Sequence, residues 1–171
     1  VVNHLMKKYP QLELSISATS RAPRGTEQNG KEYFFLSVEE FKEKIAKGEF
    51  IEYEEVYKDS FYGTLKSELQ RIWDEGKIIL FDIDVKGGVN LKRIFGDDAL
   101  AVFIKAPSIE VLRQRLVSRN TDTPQAIETR LAKAEEELSY APHFDIVLVN
   151  DQLEECLAAA EKLPIFDGEA V

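Results

Sequence analysis

The chain has 171 residues, with 22 Lys and Arg against 31 Asp and Glu, so its formal net charge is −9. This length suits one core with small lobes attached to it, and the acidic balance excludes a general nucleic-acid coat, which needs a basic face. The single cysteine excludes an intramolecular disulfide and a Cys-based zinc site, and no apolar run approaches the roughly 18 residues of a membrane span, so we expect a reducing, cytoplasmic location.

The first elements along the chain are a predicted helix and a predicted strand. Apolar residues at helical spacing predict a helix from Val1 to Lys8, and this helix has no capping residue at its start. The alternating stretch from Leu12 to Ser17 predicts a strand. Because the helix has no start signal, we expect that residues ahead of Val1 are missing from this chain.

The segment from Tyr33 to Gly63 predicts a small lobe. Three strand-like runs lie close together in it, at 33–36, 50–57 and 61–63. Ser37 and Glu40 form a capping box that begins an inserted helix, and Gly48 ends that helix. Strands at such short separations favour a mostly antiparallel lobe attached to a parallel core.

The rest of the chain alternates strands with helices. Three nearly continuous apolar runs, at 78–81, 101–104 and 146–149, predict parallel strands that are buried on both faces. Helices are predicted over 64–75, from 107 onward, over 124–140 and over 152–163. Thr123 and Pro124 are a typical cap and first residue of the third of these. The alternation predicts an α/β fold with right-handed crossovers.

One segment imitates a phosphate-binding loop. Residues 25–32 read Gly-Thr-Glu-Gln-Asn-Gly-Lys-Glu, close to the pattern G-x-x-x-x-G-K-[ST]. The last position should carry a hydroxyl that binds Mg²⁺, and Glu32 stands there instead. Such a loop also follows a strand and begins a helix, whereas this one leads into the predicted strand at Tyr33. We interpret it as a polar connecting loop.

Two arginines follow the predicted strand at its carboxyl end. Arg21 and Arg24 are three residues apart, and Pro23 stiffens the turn between them. Ligands of open α/β sheets bind beyond the carboxyl ends of strands, and paired guanidinium groups suit a phosphate. The pair is therefore a candidate phosphate site, and the alternative is two solvated surface arginines.

Two carboxylates close the apolar run that begins at Ile78. Asp82 and Asp84 are two residues apart, so on a strand they share one face. A buried carboxylate needs a cation or hydrogen-bond donors. In one interpretation, one of these two carboxylates lies near Mg²⁺ and the second accepts hydrogen bonds from a ligand. The alternative is a helix N-cap beside a satisfied buried carboxylate.

Arginines are frequent in the helical region after residue 107. They are Arg113, Arg115, Arg119 and Arg130. Such a run is usually a solvated charged face. The functional alternative is a lid that carries arginines onto phosphates.

Several strings of this sequence together resemble guanylate kinase, the nucleoside monophosphate kinase that phosphorylates GMP with ATP. The longest string is Ser17-x-x-x-Arg21-x-x-Arg24-x-x-Glu27-x-x-Gly30-x-x-Tyr33-x-Phe35. The others are Phe50-Ile51-Glu52, Tyr62-Gly63-Thr64, Asp82-Ile83-Asp84-x-x-Gly87 and Val149-Asn150-Asp151. The resemblance covers Val1 to about Leu163. It implies a parallel-sheet core like that of P-loop kinases with helices on both faces, a small mostly antiparallel GMP-binding lobe and a helical lid.

The resemblance implies a role for each matching residue. The GMP phosphate would be bound by Arg21, Arg24, Tyr33 and Tyr62. The guanine would be read by Ser17, Glu52, Thr64 and Asp84. Asp82 would support Mg²⁺ through water, Arg119 and Arg130 would close over the transferring phosphoryl group, and Asn150 would lie near the adenine of ATP. The implied division of this single domain is a core at about 1–16, 74–112 and 140–171, a lobe at about 17–73 and a lid at about 113–139.

The activity implied is phosphoryl transfer from ATP to GMP in purine nucleotide metabolism, with Mg²⁺ as cofactor and neither nucleic acid nor membrane as partner. The alternative is a non-catalytic guanylate-kinase-like module that binds phosphorylated peptides. Such modules keep the phosphate-binding residues but have little use for a guanine reader or a lid. The chain contains Glu52, Asp82, Asp84, Arg119 and Arg130, and their presence favours the enzyme.

The sequence departs from the family's pattern at its start. The family carries a strand and a Gly-rich loop ending in Gly-Lys-Ser/Thr just before the first helix, and residues 1–171 do not contain them. That loop holds the phosphates of ATP and the catalytic lysine. We therefore expect residues 1–171 alone to bind GMP but to transfer phosphate poorly or not at all.

Overall fold

The structure, a computed structural model, describes residues 1–164, so residues 165–171 at the end of the predicted core lie outside the described residues. The α-helices in this part of the chain are α1 (Val2–Lys8), α2 (Val38–Ala46), α3 (Lys66–Asp74), α4 (Val85–Phe95), α5 (Ile109–Arg119), α6 (Pro124–Leu138) and α7 (Leu153–Glu161). The strands are β1 (Leu12–Leu14), β2 (Ala18–Thr19), β3 (Phe34–Phe35), β4 (Phe50–Tyr57), β5 (Ser60–Leu65), β6 (Ile78–Leu80), β7 (Val102–Lys105) and β8 (Ile146–Val149). Strands and helices alternate outside the lobe, which confirms the predicted α/β class.

The strands of residues 1–164 form three sheets. Strands β1 and β6 pair in parallel, with Leu12 opposite Ile78, and β7 pairs in parallel with β8. The third sheet has the order β3-β2-β5-β4. Its β2–β5 and β4–β5 pairs are antiparallel, and its β2–β3 pair is parallel. The parallel core strands and the mostly antiparallel small sheet therefore follow the predicted pattern.

The prediction that the core strands are buried on both faces is wrong for the described residues. Ile78, Ile104 and Val147 are all exposed. Within residues 1–164 the strands β6, β7 and β8 each have one hydrogen-bonded neighbour, so an edge and part of the faces stay open to solvent. Branched and aromatic residues are enriched in strands generally, so an apolar run indicates a strand without fixing how many of its faces are buried.

Helix starts follow the sequence signals closely. Ser37, Ser108 and Thr123 each accept a hydrogen bond from the backbone N–H three residues further on, at the starts of α2, α5 and α6. A side-chain cap satisfies one of the four N–H groups that a helix start leaves without a partner. These starts depend on neighbours in sequence alone, which is why the sequence predicts them.

The predicted helix at 64–75 begins later than expected, at Lys66. Thr64 and Leu65 still belong to β5, where they lie opposite Glu52 and Phe50 of β4. Pairing with β4 gives their backbone groups partners in the sheet, and this tertiary pairing overrides the local helical pattern. Thr64 therefore lies on a strand, opposite a residue of the neighbouring strand.

The four-stranded sheet packs one face against α2. Phe41 of α2 is fully buried, and its ring stacks on Phe50 at 4.4 Å and on Phe61 at 5.1 Å between centroids. Residues i and i+2 of a strand share a face, so Tyr62 and Thr64 lie together on the opposite face from Phe61. The packing on α2 thereby holds a second, more polar face of the sheet in place.

The contacts divide the chain into two compact units. The N-terminal unit is Val2–Gly87, and the C-terminal unit runs from Gly88 onward together with Val1. No helix within residues 1–164 has the length and apolar character needed to cross a membrane.

Candidate active site

The residues singled out from the sequence fall into both units. The N-terminal unit holds Ser17, Arg21, Arg24, Tyr33, Glu52, Tyr62, Thr64, Asp82 and Asp84. The C-terminal unit holds Arg119, Arg130 and Asn150. Within the N-terminal unit the structure brings Arg21 against the two tyrosines and Glu52 against Thr64.

Arg21 is held on several sides of its guanidinium group. Its Nη1 and Nη2 donate to the two carboxylate oxygens of Glu27, at 2.7 and 2.9 Å, and its Nε donates to the hydroxyl of Tyr62 at 3.2 Å. Its Cζ lies 4.9 Å from the ring centroid of Tyr33, a cation–π contact. The tyrosines also contact each other, edge to face, at 6.0 Å. The result is a fixed cation in an aromatic frame.

Glu27 has no role assigned from the sequence, but the structure makes it the partner of Arg21. Its carboxylate binds Arg21 and also accepts the backbone N–H of Arg24 at 2.8 Å. The hydrogen bonds from Arg21 first, and from the Arg24 backbone second, lower the pKa of Glu27 to about 2. The same pairing raises the pKa of Arg21. Glu27 thus stabilises the turn that carries both arginines through hydrogen bonds to each of them. The side chain of Arg24 is exposed.

Glu52 and Thr64 meet on adjacent strands of the lobe sheet. They are direct partners in the β4–β5 pairing, and the hydroxyl of Thr64 donates to Glu52 Oε1 at 2.9 Å. Thr64 is fully buried, whereas Glu52 is partly accessible. A Cβ at Gly63 would lie 2.8 Å from the ring of Phe50 and 2.9 Å from the carbonyl oxygen of Glu52, so only glycine fits there. The close strand approach at Gly63 sets the Glu52–Thr64 contact.

Ser17 lies between β1 and β2, and its backbone is tied on two sides. Its carbonyl accepts the N–H of Phe34 at 2.9 Å. The N–H of the preceding residue, Ile16, donates to Glu68 Oε1 at 2.8 Å, and Glu68 is itself buried and bound by Nε of Arg71 at 2.9 Å. Sequence reasoning also missed Glu68, which contacts Ile16 from 52 residues away. A buried carboxylate on α3 thus fixes the segment that carries Ser17.

Asp82 and Asp84 occupy the extended segment between β6 and α4. Both are exposed, and β6 ends at Leu80, so the expectation of buried carboxylates on a strand is wrong. Asp84 Oδ1 accepts the N–H of Gly87 at 3.0 Å, the geometry of the helix-cap alternative. Once the strand ends, the chain turns into the helix and its polar side chains reach solvent.

No group of three or more His, Cys, Asp or Glu side chains within residues 1–164 could hold a metal ion. Mg²⁺ in phosphate-transfer sites usually keeps several waters and binds through one or two carboxylates plus the substrate's phosphates. The exposed carboxylate of Asp82 fits that mode, since it offers one oxygen ligand and leaves room for water and phosphate.

In the C-terminal unit, the two arginines singled out as lid residues share one carboxylate. Arg119 Nη2 lies 3.1 Å from Asp122 Oδ2, and Arg130 Nε lies 3.6 Å from Asp122 Oδ1. A separate ion pair between the same helices joins Arg113 to Glu128. The solvated-face interpretation therefore holds for Arg113, whereas Arg119 and Arg130 meet at a common partner.

Arg115 anchors the loop that follows β8. Its Nη1 donates to the carbonyl of Asn150 at 2.8 Å, and its Nη2 donates to the carbonyl of Asp151 at 3.0 Å. The N–H of Asn150 donates to the carbonyl of Lys105 at 2.8 Å. The backbone of Asn150 is thus fixed by β7 and α5, and its side chain is partly accessible.

The chain is similar to guanylate kinases over most of its length. The family model described as guanylate kinase matches residues 1–163. The chain is 53% identical over 163 residues to a guanylate kinase of Bacteroides fragilis, with 95% of this chain and 80% of that protein covered. It is 56% identical over 151 residues to a guanylate kinase of Porphyromonas gingivalis, with 88% and 80% covered.

A solved structure agrees with these sequence matches. The crystal structure of guanylate kinase from Anaplasma phagocytophilum superposes with a TM-score of 0.75 at 32% identity and covers 94% of this chain and 76% of that chain. The matches extend over the lobe, the predicted lid helices and the core strands alike. The chain therefore belongs to the guanylate kinase family.

Proposed function

We propose that the protein transfers a phosphoryl group from ATP to GMP, giving ADP and GDP. The observation that carries the proposal is one polar face of the lobe sheet, on which Tyr62 and Thr64 lie two residues apart. The hydroxyl of Tyr62 accepts a hydrogen bond from the guanidinium group of Arg21, and the hydroxyl of Thr64 donates one to the carboxylate of Glu52. A cation next to a carboxylate acceptor suits a molecule with a phosphate at one end and a base with adjacent N–H donors at the other.

The phosphate end of GMP would meet the two arginines and two tyrosines. Four of the five N–H groups of Arg21 are used by Glu27, Tyr62 and the carbonyl of Ala22 within the described residues. Arg21 therefore supplies a fixed charge and one N–H, while the exposed Arg24 can turn a whole guanidinium edge toward the phosphate. The hydroxyls of Tyr33 and Tyr62 would add neutral donors.

The guanine end would meet Glu52. The carboxylate can accept the N1–H and the exocyclic amine of guanine together, because these two donors are adjacent. The hydroxyl of Thr64 holds one of its oxygens, and the buried Glu68 fixes the backbone next to Ser17. Ser17 and Asp84 would complete the reading of the base.

The transfer itself would depend on positioning and on neutralising charge. Asp82 would hold Mg²⁺ through water, and the ion would offset the negative charge of the ATP phosphates. Arg119 and Arg130 would neutralise the phosphoryl group in transit, and Asn150 would contact the adenine. In this proposal the lobe of about residues 17–73 binds GMP, and the segment of about 113–139 closes as a lid.

The cellular setting proposed is purine nucleotide metabolism in the cytoplasm. The single cysteine supports a reducing compartment. The relatives described above are named guanylate kinases, which supports the enzyme rather than the module that binds phosphorylated peptides.

The test is ADP release measured with MgATP and GMP, with AMP as the control acceptor, in the protein as its gene encodes it. ADP release that depends on GMP and not on AMP is expected. Its absence, together with binding of a phosphorylated peptide, would support the non-catalytic alternative instead.

Residues 1–171 by themselves need a separate test. They contain no Gly-x-x-x-x-Gly-Lys-Ser/Thr sequence to hold the phosphates of ATP. As an isolated polypeptide they are expected to bind GMP in a calorimetric titration without releasing ADP. Rapid turnover by this polypeptide would show that the loop is not required.

A further inference from the structure

Asp122 lies in the connection between α5 and α6, where it divides its two carboxylate oxygens between two helices. Oδ2 accepts from Arg119 Nη2, at the end of α5, at 3.1 Å. Oδ1 lies 3.6 Å from Nε of Arg130, two turns into α6. One carboxylate therefore contacts both of the arginines that the proposed function assigns to the transferring phosphoryl group.

Exposure distinguishes this group from an ordinary surface ion pair. The side chain of Asp122 is 12% exposed, whereas those of Arg119 and Arg130 are 54% and 56% exposed. In the pair between Arg113 and Glu128, on the same two helices, both partners are open, at 41% and 62%. Asp122 is thus a shielded carboxylate whose two cationic partners remain open to a ligand.

The backbone fixes Asp122 from both sides. Asn120 ends α5 in the left-handed region, with a φ of 54°, and its N–H donates to the carbonyl of Val117 at 3.1 Å. Thr123 begins α6, where its hydroxyl oxygen accepts the N–H of Ala126 at 3.1 Å. A connection this short, held at both ends, gives the carboxylate little freedom to leave the two arginines.

We propose that Asp122 is a positioning residue that keeps the guanidinium groups of Arg119 and Arg130 side by side, so that both act on one phosphoryl group. The inference rests on the proposed function. Two guanidinium groups repel each other, and a carboxylate between them offsets this repulsion and restricts their side-chain rotamers. Each arginine has five N–H donors and uses at most one on Asp122, so most donors remain for phosphate oxygens.

The test is steady-state kinetics of Asp122→Asn in the protein as its gene encodes it. The substitution keeps the shape but removes the charge that gathers the two arginines. The expected result is a fall in kcat of about ten- to a hundredfold with the KM for GMP almost unchanged, because misplaced catalytic groups affect the transition state. Asp122→Glu, which restores the charge on a longer side chain, should recover part of the lost kcat.

Glu128→Gln is the matched control. It breaks the other ion pair between α5 and α6 without touching Arg119 or Arg130, so kcat should stay close to that of the wild type. Glu128→Gln should unfold at close to the wild-type temperature, since an exposed pair contributes about 0–1 kcal/mol. In an Arg119→Ala background, Asp122→Asn should cost less kcat than it does alone, because one of its two partners is already gone.

The outcomes separate this inference from the proposed function. If the wild type turns over GMP and both variants lose kcat equally, or Asp122→Asn changes only the KM for GMP, then Asp122 has no positioning role. If the wild type shows no ADP release that depends on GMP, the proposed function fails, and this inference fails with it.

Discussion

Both oxygens of the Glu27 carboxylate bind the guanidinium group of Arg21, at 2.7 and 2.9 Å. The cation of the candidate phosphate site is therefore paired with an anion inside the protein before any ligand arrives. A paired guanidinium loses little further rotamer freedom when a phosphate binds, because its orientation is already fixed. The pairing with Glu27 offsets part of the positive charge of Arg21 but fixes the orientation of its guanidinium group.

The pairing predicts how stability depends on pH. The pKa of Glu27 is about 2 in the folded protein, against an ordinary value of 4.5. A carboxylate whose pKa is lowered by folding stabilises the fold fully above its unfolded pKa, and this contribution is lost as the pH falls through the folded pKa. Glu27→Gln should therefore lower the Tm at neutral pH, and the difference from the wild type should shrink between about pH 4.5 and pH 2.

Glu43→Gln is the control for this measurement. Glu43 pairs with Lys47 on the exposed face of α2 at 2.9 Å, and this pairing also lowers the pKa of Glu43. An exposed pair contributes little, so its Tm should follow the wild type at every pH. A Tm difference for Glu27→Gln that stays constant down to pH 2 would contradict the assigned role of the Glu27 charge.

Substitution of the two kinds of arginine should separate binding from catalysis. Arg21→Ala removes a cation from the GMP phosphate site and should weaken GMP binding directly. Arg119→Ala removes a cation proposed to meet the phosphoryl group in the transition state, so kcat should fall by roughly 10³-fold with much less effect on GMP binding. Steady-state kinetics of both variants measures the contrast, and a change confined to the KM for GMP in Arg119→Ala would rule out the lid assignment.

Glu68 offers a prediction about stability. Glu68→Ala leaves the partly buried N–H of Ile16 without its acceptor, and this should lower the free energy of unfolding by about 1–3 kcal/mol. Glu68→Gln should cost less, because the amide oxygen can still accept that N–H. Urea denaturation measures both. Glu75→Gln is the matched control, since Glu75 is an exposed carboxylate 3.8 Å from the same Arg71 and should contribute almost nothing.

The contrast between local and distant contacts explains what the sequence could predict. Ser37, Ser108 and Thr123 cap helices through backbone groups three residues away, so the pattern alone predicts them. The contact between Glu68 and Ile16 joins residues 52 positions apart, and no local pattern indicates it. Thr64 shows the opposite case, in which pairing with a strand overrides a local helical signal.

The sequence likewise predicted some residues of the candidate site and missed others. Spacing alone made Arg21 and Arg24 a candidate pair, but the aromatic frame around Arg21 comes from Tyr33 and Tyr62, which lie apart in the chain. Only the family resemblance linked Tyr33 and Tyr62 to those arginines. The roles of Glu27 and Asp122 depend on side-chain contacts, so they become visible once the fold brings the partners together.

The carboxylate of Glu52 should determine which base the protein binds. Guanine offers two adjacent donors, N1–H and the exocyclic amine, whereas hypoxanthine keeps N1–H and lacks the amine, and adenine has an acceptor at N1. A carboxylate at Glu52 should therefore bind GMP best, IMP weakly and AMP hardly at all. In Glu52→Gln the Thr64 hydroxyl can donate to the amide oxygen, which leaves the NH₂ group toward the donors of guanine.

The expected cost follows from the lost charge. A hydrogen bond to a charged group contributes about 1.5–3 kcal/mol, so Glu52→Gln should weaken GMP binding about ten- to a hundredfold. The loss for IMP should be smaller, because IMP has one donor fewer. Calorimetric titration of both nucleotides measures this, with Glu55→Gln as the control, since Glu55 is an exposed residue of β4 opposite Phe61. An unchanged GMP affinity, or an equal loss for GMP and IMP, would remove Glu52 from the reading of guanine.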